Sequence, residues 1–125
     1  MNNYAKLEDL LVYRLAVELS DLGWNIFKKL SWHEQKIIGD QFIRADDSVG
    51  ANIAEGYGRF HYLDRIKFYY NSRGSLLEVK HWCLLLKKRS MINEEEFNNF
   101  MSKVDFIHYQ LNIFIKSCYQ SKDNQ

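Results

Sequence analysis

The stretch QFIRADDSVGANIAEGYGR, residues 41–59, decides the fold of this chain. It contains an apolar row with helical spacing, which continues from the preceding turn: Ile38, Phe42, Ala45, Val49 and Ile53. Steps of three and four residues are typical of an amphipathic helix that buries one side. Gly56 and Gly58 are predicted to end this helix, because glycine tolerates the left-handed conformation found at many helix C-termini.

The rest of the chain repeats the helical pattern, and none of its 125 residues is proline. The absence of the strongest helix breaker favours long uninterrupted helices. Ser31 and Glu34 have the spacing of a capping box, and Asn93 is a suitable N-cap. The sequence predicts one domain, residues 1–125, with helices over about residues 8–30, 33–56, 62–89 and 93–119. Short loops between four helices indicate an all-α, up-down-up-down four-helix bundle.

The composition says little about partners, because 17 basic and 16 acidic residues nearly balance. Two cysteines, Cys83 and Cys118, have no metal-ligand spacing and are interpreted as core residues of a protein in a reducing compartment. The sequence lacks a signal-peptide pattern and an apolar run of the ~20 residues that a membrane helix needs. A cytoplasmic protein without membrane contact is therefore expected.

The third predicted helix carries the strongest candidate for a binding surface. By helical geometry, five of its side chains fall in an arc of about 40°: Tyr62, Tyr69, Arg73, Lys80 and Lys87. Arg65 lies beside this arc, and Arg59 lies just before the helix. Basic side chains neutralise phosphates and tyrosines stack on bases, so the pattern favours RNA or DNA binding. The alternative is the solvated basic face of an ordinary bundle.

A polar row also runs through residues 41–59, within an arc of about 80° of the helix: Gln41, Arg44, Ser48, Asn52 and Glu55. On the third helix, Ser75 and Glu78 share a face. We expect hydrogen bonds between the two faces to form a structural network, because buried polar groups need partners. A solvated face and a ligand site are the alternatives.

These residues resemble a family of bacterial four-helix bundle proteins first noted as products of open reading frames in intervening sequences of large-subunit rRNA. The family pattern is roughly Q-x-x-R-A-x-x-S-[IV]-x-x-N-I-A-E-G-x-G-R, followed by G-S-x-x-E. This chain matches the pattern at Gln41, Arg44, Ala45, Ser48, Val49, Asn52, Ile53, Ala54, Glu55, Gly56, Gly58, Arg59, Gly74, Ser75 and Glu78. It departs from the pattern at Asp46, where a second alanine is common, and before Glu34, where the family usually has proline.

The family is similar to the accessory variability protein of diversity-generating retroelements, a pentameric basic bundle that binds nucleic acid and a reverse transcriptase. The resemblance therefore implies a ring-shaped homo-oligomer, a homopentamer, with RNA or DNA and a reverse transcriptase as partners. It implies no enzymatic activity. We predict a non-enzymatic nucleic-acid-binding accessory protein, and the alternative is a structural protein-interaction module without nucleic-acid affinity. Trp24, Trp32 and Trp82 are candidates for subunit contacts, because aromatic residues are enriched at interfaces.

Patterns that would indicate metal or catalytic chemistry are weak. Glu78 and His81 have the E-x-x-H spacing of carboxylate-bridged di-iron bundles, and Asp105 and His108 have a related spacing on the next helix. Asp105, however, lies off the apolar row of its helix. His33-Glu34 begins like a zinc-protease motif, but an isoleucine occupies the position of the second histidine. We predict no metal site, no cofactor and no catalytic residue.

Overall fold

The computed structural model describes residues 6–122, which form four long helices and no strand. The all-α prediction is confirmed. A short 3₁₀ turn at Leu7–Asp9 precedes the first helix. The helices are α1 (Leu11–Lys29), α2 (Trp32–Glu34, a π-helical turn at Gln35–Gly39, and Asp40–Tyr57), α3 (Tyr62–Lys88) and α4 (Glu94–Lys122). Residues 1–5 and 123–125 of the predicted domain lie outside the described part of the chain.

The N-caps predicted at Ser31 and Asn93 are confirmed. The Ser31 hydroxyl accepts a hydrogen bond from the Glu34 N–H at 3.1 Å, and the Glu34 carboxylate accepts one from the Ser31 N–H at 2.9 Å. Asn93 and Glu96 exchange the same two bonds, at 2.8 and 3.1 Å. These reciprocal bonds satisfy N–H groups that have no partner within the first turn of a helix. They explain why α2 and α4 begin where they do.

Consecutive helices run antiparallel, as their side-chain contacts show. Between α3 and α4, Lys80 pairs with Asp105 at 3.1 Å and Lys87 pairs with Glu94 at 2.8 Å, so residue numbers rise on one helix as they fall on the other. The α4–α1 pair shows the same reversal in the ion pairs Lys29–Glu96 and Lys103–Glu18. The helices therefore form an up-and-down bundle in which α4 closes against α1.

The core is built from one row of each helix. The five residues of the apolar row predicted for α2, Ile38 to Ile53, are all at most 4 % exposed. Phe42 of α2 and Phe100 of α4 meet at the centre of the bundle, with ring centroids 5.2 Å apart. Among residues 6–122, no helix is both long and apolar enough to cross a membrane.

The prediction that α2 ends at Gly56 and Gly58 is confirmed in position, because α2 ends at Tyr57 and Gly58 is its C-cap residue, but the expected left-handed conformation does not occur there. No glycine in the described residues has a positive φ, and Gly58 lies at φ −80°. Gly56 instead allows α2 and α3 to approach closely, because a Cβ there would stand 3.0 Å from the carbonyl oxygen of Arg65. The left-handed conformation occurs at Ser90, φ 59°, where the chain leaves α3.

Candidate nucleic-acid interface

Three of the predicted basic side chains lie along the seam between α3 and α4. Lys80 and Lys87 make the ion pairs described above, and Arg73 donates a hydrogen bond from Nη1 to Oδ1 of Asn112 at 2.8 Å. The Arg73 guanidinium also lies 4.7 Å from the centre of the Tyr70 ring. The structure therefore brings these three side chains together on one side of the bundle. Their charges are partly neutralised by α4, which the helical arc of α3 alone could not show.

Tyr69 does not belong to this surface, and its prediction as a base-stacking residue is wrong. It is 2 % exposed and packs edge-to-face on Phe114, with ring centroids 4.8 Å apart. Burial, more than the nearby Cys118, raises the pKa of the Tyr69 hydroxyl to about 12. The basic arc borders the core row of α3, so a residue at its edge can fall on the buried side.

The other predicted residues cluster where α3 begins. Arg59 forms an ion pair with Glu55 at 2.9 Å, and its guanidinium lies 4.7 Å from the centre of the Phe68 ring. Arg65 donates from Nε to the carbonyl oxygen of Arg59 at 2.6 Å. Tyr62 is half-buried and lies edge-to-face with Tyr119 across the α3–α4 seam. Arg59 and Arg65 remain exposed at this end of the bundle.

Three exposed cations on α3 and just after it were missed by the sequence reasoning. Lys67, Lys88 and Arg89 form no ion pair with any other residue of the described chain. The sequence contains their signal, since basic residues are dense between residues 57 and 90. The arc excluded these side chains because it was centred on the seam rather than on the outward side of α3.

Among the residues that the structure describes, four of the seven predicted network residues make side-chain bonds, each with a residue four positions away along the chain. On α2, Ser48 donates to the Arg44 carbonyl at 2.8 Å and Asn52 donates to the Ser48 carbonyl at 2.9 Å. Glu55 pairs with Arg59, and Glu78 accepts a bond from the Trp82 indole at 3.1 Å. Across the described residues, no hydrogen bond joins Gln41, Arg44, Ser48, Asn52 or Glu55 to Ser75 or Glu78.

The polar link that does cross from α2 to α3 comes from a residue outside this set. The Ser72 hydroxyl is buried and donates to the Val49 carbonyl at 2.7 Å. Side-chain bonds to the preceding turn of the same helix are a common alternative to bonds between helices. Such local bonds replace the expected network, and Ser72 provides the contact between the backbones.

A buried carboxyl group in the core has the largest pKa shift of any group in the described part of the chain. Asp46 is 0 % exposed, and neither of its carboxyl oxygens has a hydrogen-bond partner among the described residues. Its carboxyl lies against Gly23 of α1, where an added Cβ would overlap Oδ2. Burial, followed by the charges of Asp47 and Asp21, raises the pKa of Asp46 to about 9. The departure from the family pattern at this position was the signal in the sequence.

The candidate metal motifs are not assembled into a centre. Glu78 bonds the Trp82 indole and Asp105 pairs with Lys80. Within the described part of the chain, no group of three His, Cys, Asp or Glu side chains is placed to hold a metal ion. Cys83 is buried, and burial, then the nearby Asp46, raises the pKa of its thiol to about 12. A neutral buried thiol is consistent with the interpretation of Cys83 as a core residue.

Fold and surface together define an all-α, up-and-down four-helix bundle with a basic seam between α3 and α4. Residues 8–113 match the family described as 23S rRNA-intervening sequence protein, and the chain belongs to that family. A crystal structure of a protein of unknown function from the S23 ribosomal protein family of Bacteroides thetaiotaomicron VPI-5482 is similar, with a TM-score of 0.79 and 26 % identity over 85 % of this chain and 99 % of that one. No curated protein sequence matches this chain.

Proposed function

We propose that this protein is a non-enzymatic, oligomeric accessory protein that binds RNA or DNA along α3. The observation that carries the proposal is the density of cations there: between residues 57 and 90, only Asp64 and Glu78 oppose the basic side chains. A helix of 27 residues is about 40 Å long, close to the length of one duplex turn. Phosphates on neighbouring turns of a nucleic acid can therefore contact both ends of the helix.

The ion pairs along the seam do not prevent this role. The Lys80 and Lys87 pairs lie at the surface, and each acidic partner is more than 60 % exposed. Exposed pairs of this kind contribute about 0–1 kcal/mol, so a phosphate can replace the carboxylate at little cost. Release of counterions from the nucleic acid then favours binding.

Family membership supports the wider proposal, because intervening sequences in 23S rRNA give the family its name. The resemblance to the retroelement accessory protein extends this proposal in two ways. Five copies of the chain form a ring in the cytoplasm, and the ring acts with a reverse transcriptase. This partnership predicts that the bundle presents nucleic acid to an enzyme and carries no active site of its own.

Reversing two charges on the seam, Arg73→Glu with Lys80→Glu, is expected to weaken nucleic-acid binding at least tenfold. Each side chain is assigned one phosphate contact, so the slope of log affinity against log salt should fall by about two. Fluorescence anisotropy with a labelled mixed-sequence RNA strand and with duplex DNA, repeated at several salt concentrations, measures both quantities. Circular dichroism checks that helicity is unchanged.

The matched control reverses the charge of two lysines whose ion pairs lie between α1 and α4, away from the seam. Lys29→Glu with Lys103→Glu makes the same change in charge at the ion pairs with Glu96 and Glu18. We expect less than threefold weakening from it, since bulk charge acts weakly at physiological salt. Equal weakening by both pairs of substitutions would assign binding to net charge alone. Wild-type protein that binds neither nucleic acid in a salt-sensitive way would refute the proposal.

The second candidate is a protein-interaction module, and exposed apolar side chains favour it. Leu63, Leu77 and Leu84 on α3 are each at least 46 % exposed. Purification of the tagged protein with and without nuclease treatment separates the two candidates. A protein partner that stays bound after nucleic acid is removed, together with no RNA or DNA affinity, supports the interaction module.

A further inference from the structure

The outward side of α3 carries a second row that the bundle core does not use. Four of its members lie seven residues apart and are 38–66 % exposed: Leu63, Tyr70, Leu77 and Leu84. Between them, at alternating steps of four and three, lie Lys67, Gly74, His81 and Lys88. The apolar members therefore form a strip along the helix, with basic residues, a histidine or a glycine at the positions between them. We refer to these eight residues as the outer row.

Gly74 lies in the middle of the outer row, and its surroundings do not require glycine. A Cβ at this position would meet no atom of the described residues within 4 Å. Glycine weakens the interior of a helix, because it loses more conformational freedom on folding than any other residue. On a face that packs against another helix, the missing side chain allows a second backbone to come close.

A shallow, open groove lies between α1 and α2. Its volume is about 260 Å³, and its lining includes the small residues Gly50, Ala51 and Ala54. Its walls include Tyr13 and Val17 of α1. Leucine side chains that project from one helix pack into such spaces between two others.

The charges at the two surfaces are complementary. Lys67 and Lys88 belong to the outer row, whereas Asp47 lines the groove and Asp21 follows the lining residue Ser20. All four are exposed, and none forms an ion pair with another residue in the described range. Contact between two outer rows would bring lysines together, while contact with the groove brings a lysine close to carboxylates.

We infer that the outer row of α3 packs into the groove between α1 and α2 of a second copy of this chain, an inference that rests on the self-association proposed above. Two different surfaces meet in this contact, so one copy keeps a free groove and the other keeps a free row for further contacts. Head-to-tail contacts of this kind close into a ring when the rotation between copies is a fraction of a full turn.

Three substitutions test the contact, each at an exposed or open position that leaves the bundle intact. Leu77→Glu and Gly74→Gln alter the outer row, and Ala51→Glu alters the groove. Each is expected to weaken self-association at least tenfold, measured as mass by size exclusion with light scattering. Phe106→Glu is the matched control, because Phe106 is 48 % exposed on α4 and Leu77 is 50 % exposed on α3.

Mixing two of these variants gives the decisive result. Leu77→Glu keeps an intact groove and Ala51→Glu keeps an intact row, so an equimolar mixture should form a 1:1 pair of twice the 15.0 kDa chain mass. A mixture that stays monomeric would overturn the inference, as would equal disruption by Phe106→Glu or a monomeric wild-type protein. Nucleic-acid binding is measured separately by fluorescence anisotropy. Protein that forms the 1:1 pair without binding nucleic acid would therefore refute the nucleic-acid proposal and leave the subunit contact supported.

Discussion

Replacing Asp46 by alanine is expected to raise the free energy of unfolding at pH 7 by about 3 kcal/mol, although it deletes a core side chain. The wild-type carboxyl is fully buried and has no hydrogen-bond partner among the described residues. An unpartnered buried polar group destabilises the folded state, because in the unfolded chain water satisfies it. Alanine removes that group and leaves only a small cavity beside Gly23.

The magnitude of this gain in stability follows from the protonation of the Asp46 carboxyl in the folded protein. Burial raises its pKa from 3.8 to about 9, so the folded protein binds a proton at pH 7 that the unfolded chain releases. Neutral pH lies roughly three pH units above 3.8, and each unit corresponds to about 1.4 kcal/mol, which gives about 4 kcal/mol. Loss of packing around the deleted carboxyl lowers the net gain by about 1 kcal/mol.

The same proton predicts how stability changes with pH. The folded pKa lies above the unfolded one, so the Asp46 contribution is most favourable below about pH 3.8 and is lost progressively up to about pH 9. Within that window the wild-type protein should lose stability with a slope of about 1.4 kcal/mol per pH unit from this group. The Asp46→Ala protein should lack this component of the slope.

Urea unfolding followed by circular dichroism at pH 5, 7 and 8.5, at one fixed protein concentration, measures both effects. Asp46→Asn keeps the shape of the side chain without its ionisation, so it should share the flatter pH profile. Gln41→Ala is the control on the exposed side of the same helix, and it should change stability by less than about 0.5 kcal/mol. An Asp46→Ala protein with wild-type slope and no added stability would contradict the assigned burial.

The fold could be predicted because its determinants are local. The apolar row of α2 and the caps at Ser31 and Asn93 are short-range patterns, and each specifies a helix face or a helix start. Gly56 shows the limit of such patterns. It lies one residue before the end of α2, as its position suggested, but it is also the point of close contact with α3, which only the packed bundle defines.

The candidate site was predicted less well, because a surface depends on its neighbours. The arc on α3 correctly grouped Arg73, Lys80 and Lys87, but it could not show that α4 supplies partners for all three. It also included Tyr69, which is buried against Phe114, although Lys87 has the same angle about five helical turns further along. A helical wheel gives the angle of a residue and does not show which positions along the helix a neighbouring helix covers.

Replacing Gly56 by alanine is expected to destabilise the protein by about 3 kcal/mol, the upper range for overpacking a tight helix contact. An added Cβ would stand 2.7 Å from Cε1 of Tyr69 and 3.0 Å from both the Arg65 carbonyl oxygen and Cβ of Phe68. Two of these atoms belong to the backbone or its first side-chain carbon, and they cannot move without shifting α3. The buried Tyr69 ring is held in turn by Phe114.

Gly58→Ala is the matched control for this prediction, because Gly58 lies two residues after Gly56, where α2 ends. Its φ of −80° suits any residue, and an added Cβ would meet the Ala54 and Glu55 carbonyl oxygens at an ordinary 3.7 Å. Alanine there should leave stability unchanged or raise it by up to about 1 kcal/mol, because it restricts the unfolded chain. Urea unfolding of the two variants compares them directly. Equal effects would show that both glycines act through backbone freedom, whereas a loss confined to Gly56→Ala assigns Gly56 to the contact between α2 and α3.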